Sequence, residues 1–269
     1  MSRKAVYAGT WYPGTEDTIN ATIDSYLTNK KVMARKAIGI MVPHAGWLYS
    51  GEVAARVYAS TRIPSTVIMI GPNHTGQGYM ISLSDHDTWQ TPGGAVTLDS
   101  SFSKRITELC GGTISLDDTA HDQEHSLEIQ LPFLRYFRKD VKIVPLILGT
   151  QSPEICRILG EGIAGAIKES KQDILVLASS DMTHYESIDE ARKKDNLAIQ
   201  QILALQPDKL LSTVAKYDIS MCGVAPAAVM LYAARSLNAT QAQLISYDTS
   251  GTVTRDNNEV VGYAGIIVT

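Results

Sequence analysis

Three short apolar runs set the rhythm of this chain. Residues 38–42, 66–70 and 174–178 are almost wholly aliphatic and lack the polar alternation of a strand with one wet face. Each therefore predicts a strand buried on both faces of a parallel sheet. A fourth run, 142–148, has the same character. After the first run comes a glycine-bounded loop at 46–51, and then Val53, Ala54, Val57 and Tyr58 recur at helical spacing. A right-handed crossover in this strand-helix-strand unit places the first two strands side by side, with their carboxyl ends at the same edge. Helices are predicted from a cap at Thr15 to about Asn29, from Asp99 through Cys110, over 126–137 with Pro132 kinking or breaking the element, and over 153–168. More follow near 188–205 and 207–216, and a small-residue helix runs to Leu237 after a loop at 220–226. Alternation at 79–83 and 95–98 around Gly93-Gly94 predicts an antiparallel hairpin, and runs near 243–248 and 260–268 close the sheet. Strands alternating with helices predict an α/β fold with a mostly parallel central sheet and helices on both faces. No linker, low-complexity run or repeat divides the chain, so residues 1–269 are expected to form a single domain.

Composition narrows the class. With 44% hydrophobic and 19% charged residues and a formal charge of -4, the chain reads as a globular protein without the basic stripe of a nucleic-acid binder. No stretch approaches membrane-spanning length, and the start Met1-Ser2-Arg3-Lys4 leads into no signal-peptide core, so a cytoplasmic protein with no membrane partner is expected. Cys110, Cys156 and Cys222 are odd in number with no Cys-x-x-Cys pair, which argues against a disulfide framework and a cysteine-rich zinc site. Cys110 and Cys156 fall in helical apolar patterns and read as core. Cys222 sits in a loop.

Candidate chemistry gathers at the strand ends. The first three runs lead into Pro43-His44, Gly71-Pro72-Asn73-His74 and Ser179-Ser180-Asp181-Met182-Thr183-His184. Loops at the carboxyl ends of parallel strands are where open α/β sheets bind ligands, and neutral imidazole is a common metal ligand. His44 and His74 are therefore candidate metal ligands at a shared site, against the simpler alternative of loop histidines that bond backbone. Asp181 lies three residues before His184 and would fix its tautomer for acid/base work, or else would cap the next helix. One local motif competes: His121-x-x-Glu124-His125 fits a zinc-peptidase pattern, which needs a third ligand and an uninterrupted helix. Asp118-Thr119-Ala120 puts His121 at a helix start, and Pro132 disturbs the helix beyond it. Glu124, His125 and Glu128 are instead expected to approach the pocket from its side and bind a polar substrate. Trp11, Trp47 and Tyr49 would suit an aromatic pocket wall.

The segments Ala8-Gly9-Thr10-Trp11-Tyr12-Pro13, Val42-Pro43-His44-Ala45-Gly46-Trp47-Leu48-Tyr49-Ser50-Gly51, Gly71-Pro72-Asn73-His74, Glu124-His125-Ser126-Leu127-Glu128, Leu131-Pro132-Phe133, Ser179-Ser180-Asp181-Met182-Thr183-His184-Tyr185 and Met221-Cys222-Gly223 run the length of the chain. In that order they resemble the Memo family, named for a mediator of cell motility, and more distantly the class III extradiol ring-cleaving dioxygenases. The resemblance implies a fold similar to those dioxygenases, a metal held by His44, His74 and Cys222, and Asp181 and His184 lining the same pocket, with His184 as acid/base. It also implies a departure: the dioxygenases bind Fe(II) through two histidines and a carboxylate, whereas Cys222 offers a thiolate. Thiolate is softer, favours Cu(I) or Zn, and changes the reactivity of bound Fe(II). The expected function is a metal-dependent oxidoreductase with a dioxygenase-like pocket, using Fe(II) or Cu, with Zn as a further fit. The alternative is a catalytically silent module that binds a small-molecule or peptide ligand on the same fold. Microbial members also resemble a component encoded beside a radical-SAM protein and an AMMECR-type protein, which implies a pathway link.

Overall fold

The computed structural model describes residues 1–28 and 33–269. A two-residue strand, β1 (Ser2–Arg3), precedes α1 (Glu16–Leu27). Thr15 caps α1 by accepting the Thr18 N–H at 3.3 Å, and the Thr18 hydroxyl accepts the Thr15 N–H in return. The predicted end near Asn29 lies outside the described residues. Next come β2 (Gly39–Val42), α2 (Trp47–Ala59) and β3 (Thr66–Pro72). The following stretch holds β4 (Ile81–Leu83), β5 (Thr88–Thr91), β6 (Gly94–Leu98), α3 (Ser100–Leu109) and β7 (Ser115–Leu116). Three short helices, α4 (Thr119–Asp122), α5 (His125–Glu128) and α6 (Leu131–Phe137), then lead to β8 (Lys142–Leu148), α7 (Pro153–Ser170) and β9 (Ile174–Ser179). The remainder is β10 (His184–Glu186), α8 (Ile188–Leu203), α9 (Pro207–Lys216), α10 (Val224–Ser236), β11 (Ala242–Thr249), α11 (Gly251–Thr254) and β12 (Val260–Val268).

The sheet runs β1-β5-β6-β8-β3-β9-β2-β12-β10, and every pairing from β6 to β2 is parallel. Strand β12 joins β2 antiparallel and carries β10 and β11. Successive residues of a strand face opposite sides. Ile40, Val67, Met69, Leu175 and Leu177 therefore enter a core shared with α1, α2 and α6. Met41, Ile68, Ile70, Val176 and Ala178 enter a second core shared with α3, α7, α8, α9 and α10. This is the mostly parallel α/β sheet with helices on both faces that the aliphatic runs predict. Among the described residues, no helix is long and apolar enough to cross a membrane.

Four local features differ from the sequence pattern, each for a physical reason. Strands β2 and β3 are not neighbours, because β9 inserts between them and pairs with both. The antiparallel hairpin joins β5 to β6, while β4 pairs antiparallel with β8. The loop expected at 46–51 is already the start of α2: a Cβ on Gly51 would lie 2.8 Å from the Tyr26 ring, so this glycine marks the close approach of α1. The helix expected over 126–137 is two helices, with Pro132 in the first turn of α6, where its missing N–H leaves no intrahelical bond unmade.

Candidate metal centre

The strand order brings three loops together. His44 follows β2, His74 follows β3, and Asp181 follows the intervening β9. Asp181 Oδ1 accepts the backbone N–H of His44 at 2.7 Å and of Ala45 at 3.3 Å, so this carboxyl ties the β9 loop to the β2 loop. Burial pushes the Asp181 carboxyl up, and the N–H bond from His44 works against that rise. His184 is held by a different residue: its N–H donates to Ser220 Oγ at 2.7 Å, and its Nδ1 stands 2.9 Å from Ser220 O. A carbonyl only accepts, so Nδ1 carries the proton and Nε2 is left as the basic nitrogen.

The same logic fixes His44. Ser179 Oγ donates to Ser126 O at 2.7 Å, which commits its only hydrogen and leaves the oxygen to accept from His44 Nδ1 at 2.9 Å. His44 Nε2 is therefore unprotonated, and Cys222 Sγ lies 3.1 Å from it. Burial, then the neighbouring His74, hold the His44 imidazole well below its ordinary titration range. His74 Nδ1 stands 2.8 Å from Glu124 Oε1, and its backbone N–H donates to Glu124 Oε2 at 2.7 Å. Burial works to raise the Glu124 carboxyl, but the His74 bonds and the Ser126 N–H outweigh it and bring it to about 2. An ionised Glu124 holds the His74 proton on Nδ1 and frees Nε2, the carboxylate-histidine support found behind metal ligands.

Three histidines converge as a result. Ligand-capable nitrogens of His44, His74 and His125 all lie within 4.8 Å of one another. The His125 ring stacks on His74 with centroids 4.6 Å apart and meets His44 edge-on at 5.3 Å. Burial, then the neighbouring His44, lowers His125 to about 3, which keeps it neutral. Cys222 Sγ stands outside that trio and touches His44. Gly223 makes the approach of the Cys222 segment possible, since a Cβ there would lie 2.3 Å from Ser179 O. Burial, followed by the charge of Asp181, pushes the Cys222 thiol up, so it holds its proton until something replaces it.

A cleft of 660 Å³ opens over the trio, lined by Trp11, Tyr49, Asp181, His184, Tyr185 and Tyr263 among others. Trp11 backs His125 at 4.4 Å between ring centroids. The cleft thus collects His44, His74, His125, His184, Asp181, Trp11 and Tyr49, while Glu124 lies beneath them with 1% exposure. Trp47 is core, stacked on Phe133. His121 is elsewhere: it is fully buried, its Nε2 bonds Ser82 O at 3.2 Å, and the break between α4 and α5 removes the continuous helix a zinc-peptidase motif requires. Glu128 does not reach the pocket either. Its carboxylate pairs with Arg3 at 2.7 Å and accepts from Val6 N, Tyr7 N and the Tyr12 hydroxyl. Sequence reasoning missed the supporting roles of Ser179 and Ser220. The only signal for Ser179 was its place at the end of a histidine-bearing strand.

The family model described as Memo-like protein matches residues 3–267. A MEMO1 family protein of Methanosarcina barkeri is 39% identical over 267 residues, covering 99% of each chain. Another from Aquifex aeolicus is 39% identical over 266 residues, covering 98% of each. Among solved structures, an uncharacterised protein of Escherichia coli K12 superposes with a TM-score of 0.57 at 11% identity, over 85% of this chain and 99% of that one, a likeness of fold.

Proposed function

The chain belongs to the Memo-like protein family, and on that premise we propose that it is a metal-dependent oxidoreductase with its centre at His44, His74 and Cys222. One observation carries the reading: two independent hydrogen-bond chains, through Ser179 and through Glu124, hold the protons of both histidines on Nδ1 and turn both Nε2 lone pairs into available donors, with the Cys222 thiol 3.1 Å from that of His44. That donor set suits Fe(II), Cu or Zn, and a redox-active metal bound there would supply a Lewis-acidic, electron-transferring centre. The chain's own residues do the rest. The aromatic wall of Trp11, Tyr49, Tyr185 and Tyr263 takes the flat apolar part of an organic substrate. His184 Nε2, with its proton excluded by Ser220 O, accepts a proton from that substrate and later returns it. Asp181 keeps the His44 loop in register with the β9 loop.

The test is metal analysis of protein purified without air, together with oxygen consumption over a panel of aromatic substrates. We expect close to stoichiometric Fe or Cu, lost in His44→Ala and His74→Ala variants that still melt cooperatively. Protein that takes up neither metal, or a metal content indifferent to both substitutions, refutes the proposal. Ligand-dependent thermal stabilisation without metal-dependent turnover would instead establish a catalytically silent binding module.

A further inference from the structure

A second hollow, away from the histidines, holds polar groups that the fold leaves unused. It measures 300 Å³, lies between α3 and the loop that follows β4, and shares no lining residue with the cleft over the histidine trio. Leu98 and Leu116 give it an apolar surface. Ser103 lines it from α3, on the same buried face as Phe102 and Ile106, where an aliphatic residue would be the ordinary choice. Ser103 is 6% exposed, yet among the described residues its hydroxyl has no hydrogen-bond partner. The neighbouring hydroxyls are committed: Thr107 Oγ1 donates to Ser103 O at 3.0 Å, and Ser84 Oγ donates to Asp118 Oδ1 at 2.9 Å. A buried hydroxyl left without a partner is costly, which points to a polar group that this hollow receives.

The remaining polar groups divide by element. Helix α3 supplies donors, the Ser103 hydroxyl and the Lys104 ammonium, while the loop after β4 supplies acceptors, the Asp85 carboxylate and His86. The His86 side chain is 10% exposed, and its Nε2 stands 3.4 Å from Asp122 Oδ1, so the neutral ring keeps its proton there. Its Nδ1 lies 3.5 Å from Asp118 Oδ2, makes no hydrogen bond among the described residues, and is left to accept one. Glu108, also on the rim, is taken by Arg105 at 2.7 Å. Lys104 and Asp85 have no ion-pair partner among the described residues, and they do not pair with each other. An unpaired cation and an unpaired anion thus line one hollow without meeting.

We infer that this hollow binds a small aliphatic α-amino acid, with its carboxylate on Lys104 and Ser103, its ammonium on Asp85 and His86 Nδ1, and its side chain against Leu98 and Leu116. The inference is independent of the metal-centre reading. A zwitterion satisfies both charges at once. A simple carboxylate would leave Asp85 and the His86 lone pair without partners, and a simple amine would leave Lys104 and Ser103 so. The volume is at the small end of the range of about 300–1,000 Å³ for ligand cavities, which limits the side chain to the size of valine, leucine or methionine.

The experiment is isothermal titration calorimetry of the full chain, freed of metal by a chelator, with L-valine, L-leucine and L-methionine. The controls are 4-methylpentanoate, which lacks the ammonium of leucine, and isopentylamine, which lacks its carboxylate. We expect at least one amino acid to bind, and both controls to bind it more weakly by about 10–100-fold, the worth of a hydrogen bond to a charged group. Lys104→Gln and Asp85→Asn change exposed side chains and should each cost about the same factor. Ser103→Ala should weaken binding while melting at or above the wild-type temperature without ligand, since it removes a hydroxyl that has no partner. His44→Ala, which alters the cleft, should bind the amino acid as wild type does. No binding of any of the three amino acids overturns the inference. Binding indifferent to Lys104→Gln, Asp85→Asn and Ser103→Ala, or lost in His44→Ala, places the ligand elsewhere and overturns it too. A control that binds as tightly as leucine overturns the zwitterion. None of these outcomes touches the proposed function, whose test is metal content.

Discussion

At Ser179 one hydroxyl stands between two tautomers of His44. Its hydrogen goes to Ser126 O, so its oxygen accepts from His44 Nδ1 and leaves Nε2 free. Ser179→Ala removes that acceptor and strands a buried N–H, an unmade bond of about 1–3 kcal/mol. We expect metal affinity to fall about 10–100-fold in titration while the thermal transition stays cooperative, and an unchanged affinity would show that the hydroxyl does not set the tautomer. His121 supports a separate prediction about acid stability. Burial first, and then Arg3, depress it from 6.5 to about 4. The folded state therefore binds the proton less readily than the unfolded chain. Its contribution is complete above about pH 6.5 and is lost as pH falls towards 4, by about 3 kcal/mol in all. His121→Gln keeps a donor for Ser82 O and cannot titrate, so its urea midpoint should decline less than wild type across that window. Parallel declines would refute the assignment. At this scale His44, His74 and His184 were legible because each follows an aliphatic run. His125 was expected at the side of that pocket, but its stacking on His74 was not, because it depends on how α5 docks on β3, and sequence spacing carries no record of that docking.

The loop before α10 shows what an element's end contributes. Gly223 is its N-cap, and the chain there runs against the end of β9 so closely that an added Cβ would sit 2.3 Å from Ser179 O and 2.4 Å from Ser180 Cβ. Gly223→Ala must push α10 or the β9 end aside. We expect a loss of about 1–3 kcal/mol, the range of overpacked cores, and a melting temperature lower by several degrees. A variant that melts with wild type would mean the loop yields freely, and the Cys222 position would then be loosely held. The parallel strands themselves were readable, since a run buried on both faces admits no polar alternation. Their order was not readable. Crossover handedness fixes the side on which a helix lies but not how many strands it skips, and β9 entered between β2 and β3 from more than 100 residues downstream. The hairpin takes a different partner for a similar reason: alternation at 79–83 marks a strand, and only tertiary pairing reveals that it meets β8. Glycine also misled at position 51, where it signals a tyrosine packed against a helix rather than a loop.

Across the whole molecule, one buried ion pair fastens the start of the chain to the wall of the candidate site. Arg3 and Glu128 meet at 2.7 Å with side-chain exposures of 1% and 0%. Arg3 also donates Nε to His121 O at 2.7 Å and NH2 to Glu124 O at 3.0 Å, with its guanidinium over Trp89. Glu128 accepts from Val6 N, Tyr7 N and the Tyr12 hydroxyl. The pair thus binds residues 3–12, which include Trp11, to the segment that carries Glu124 and His125. Two charges removed from water gain little overall, because desolvation offsets their attraction, but deleting one leaves the other buried without its counter-charge. Glu128→Ala and Arg3→Met should each destabilise by about 3–5 kcal/mol in equilibrium unfolding. The double variant should lose less than the sum of the two, with a coupling of up to about 3 kcal/mol, because the second substitution removes the charge that the first had stranded. Glu128→Ala should also speed hydrogen exchange of the Val6 and Tyr7 amides, which lose their acceptor, without the same effect in the parallel strands. If the single losses simply add and those amides stay protected, the pair is not the fastening. The geometry of the histidine trio would then have to be held by the helices around α5 alone.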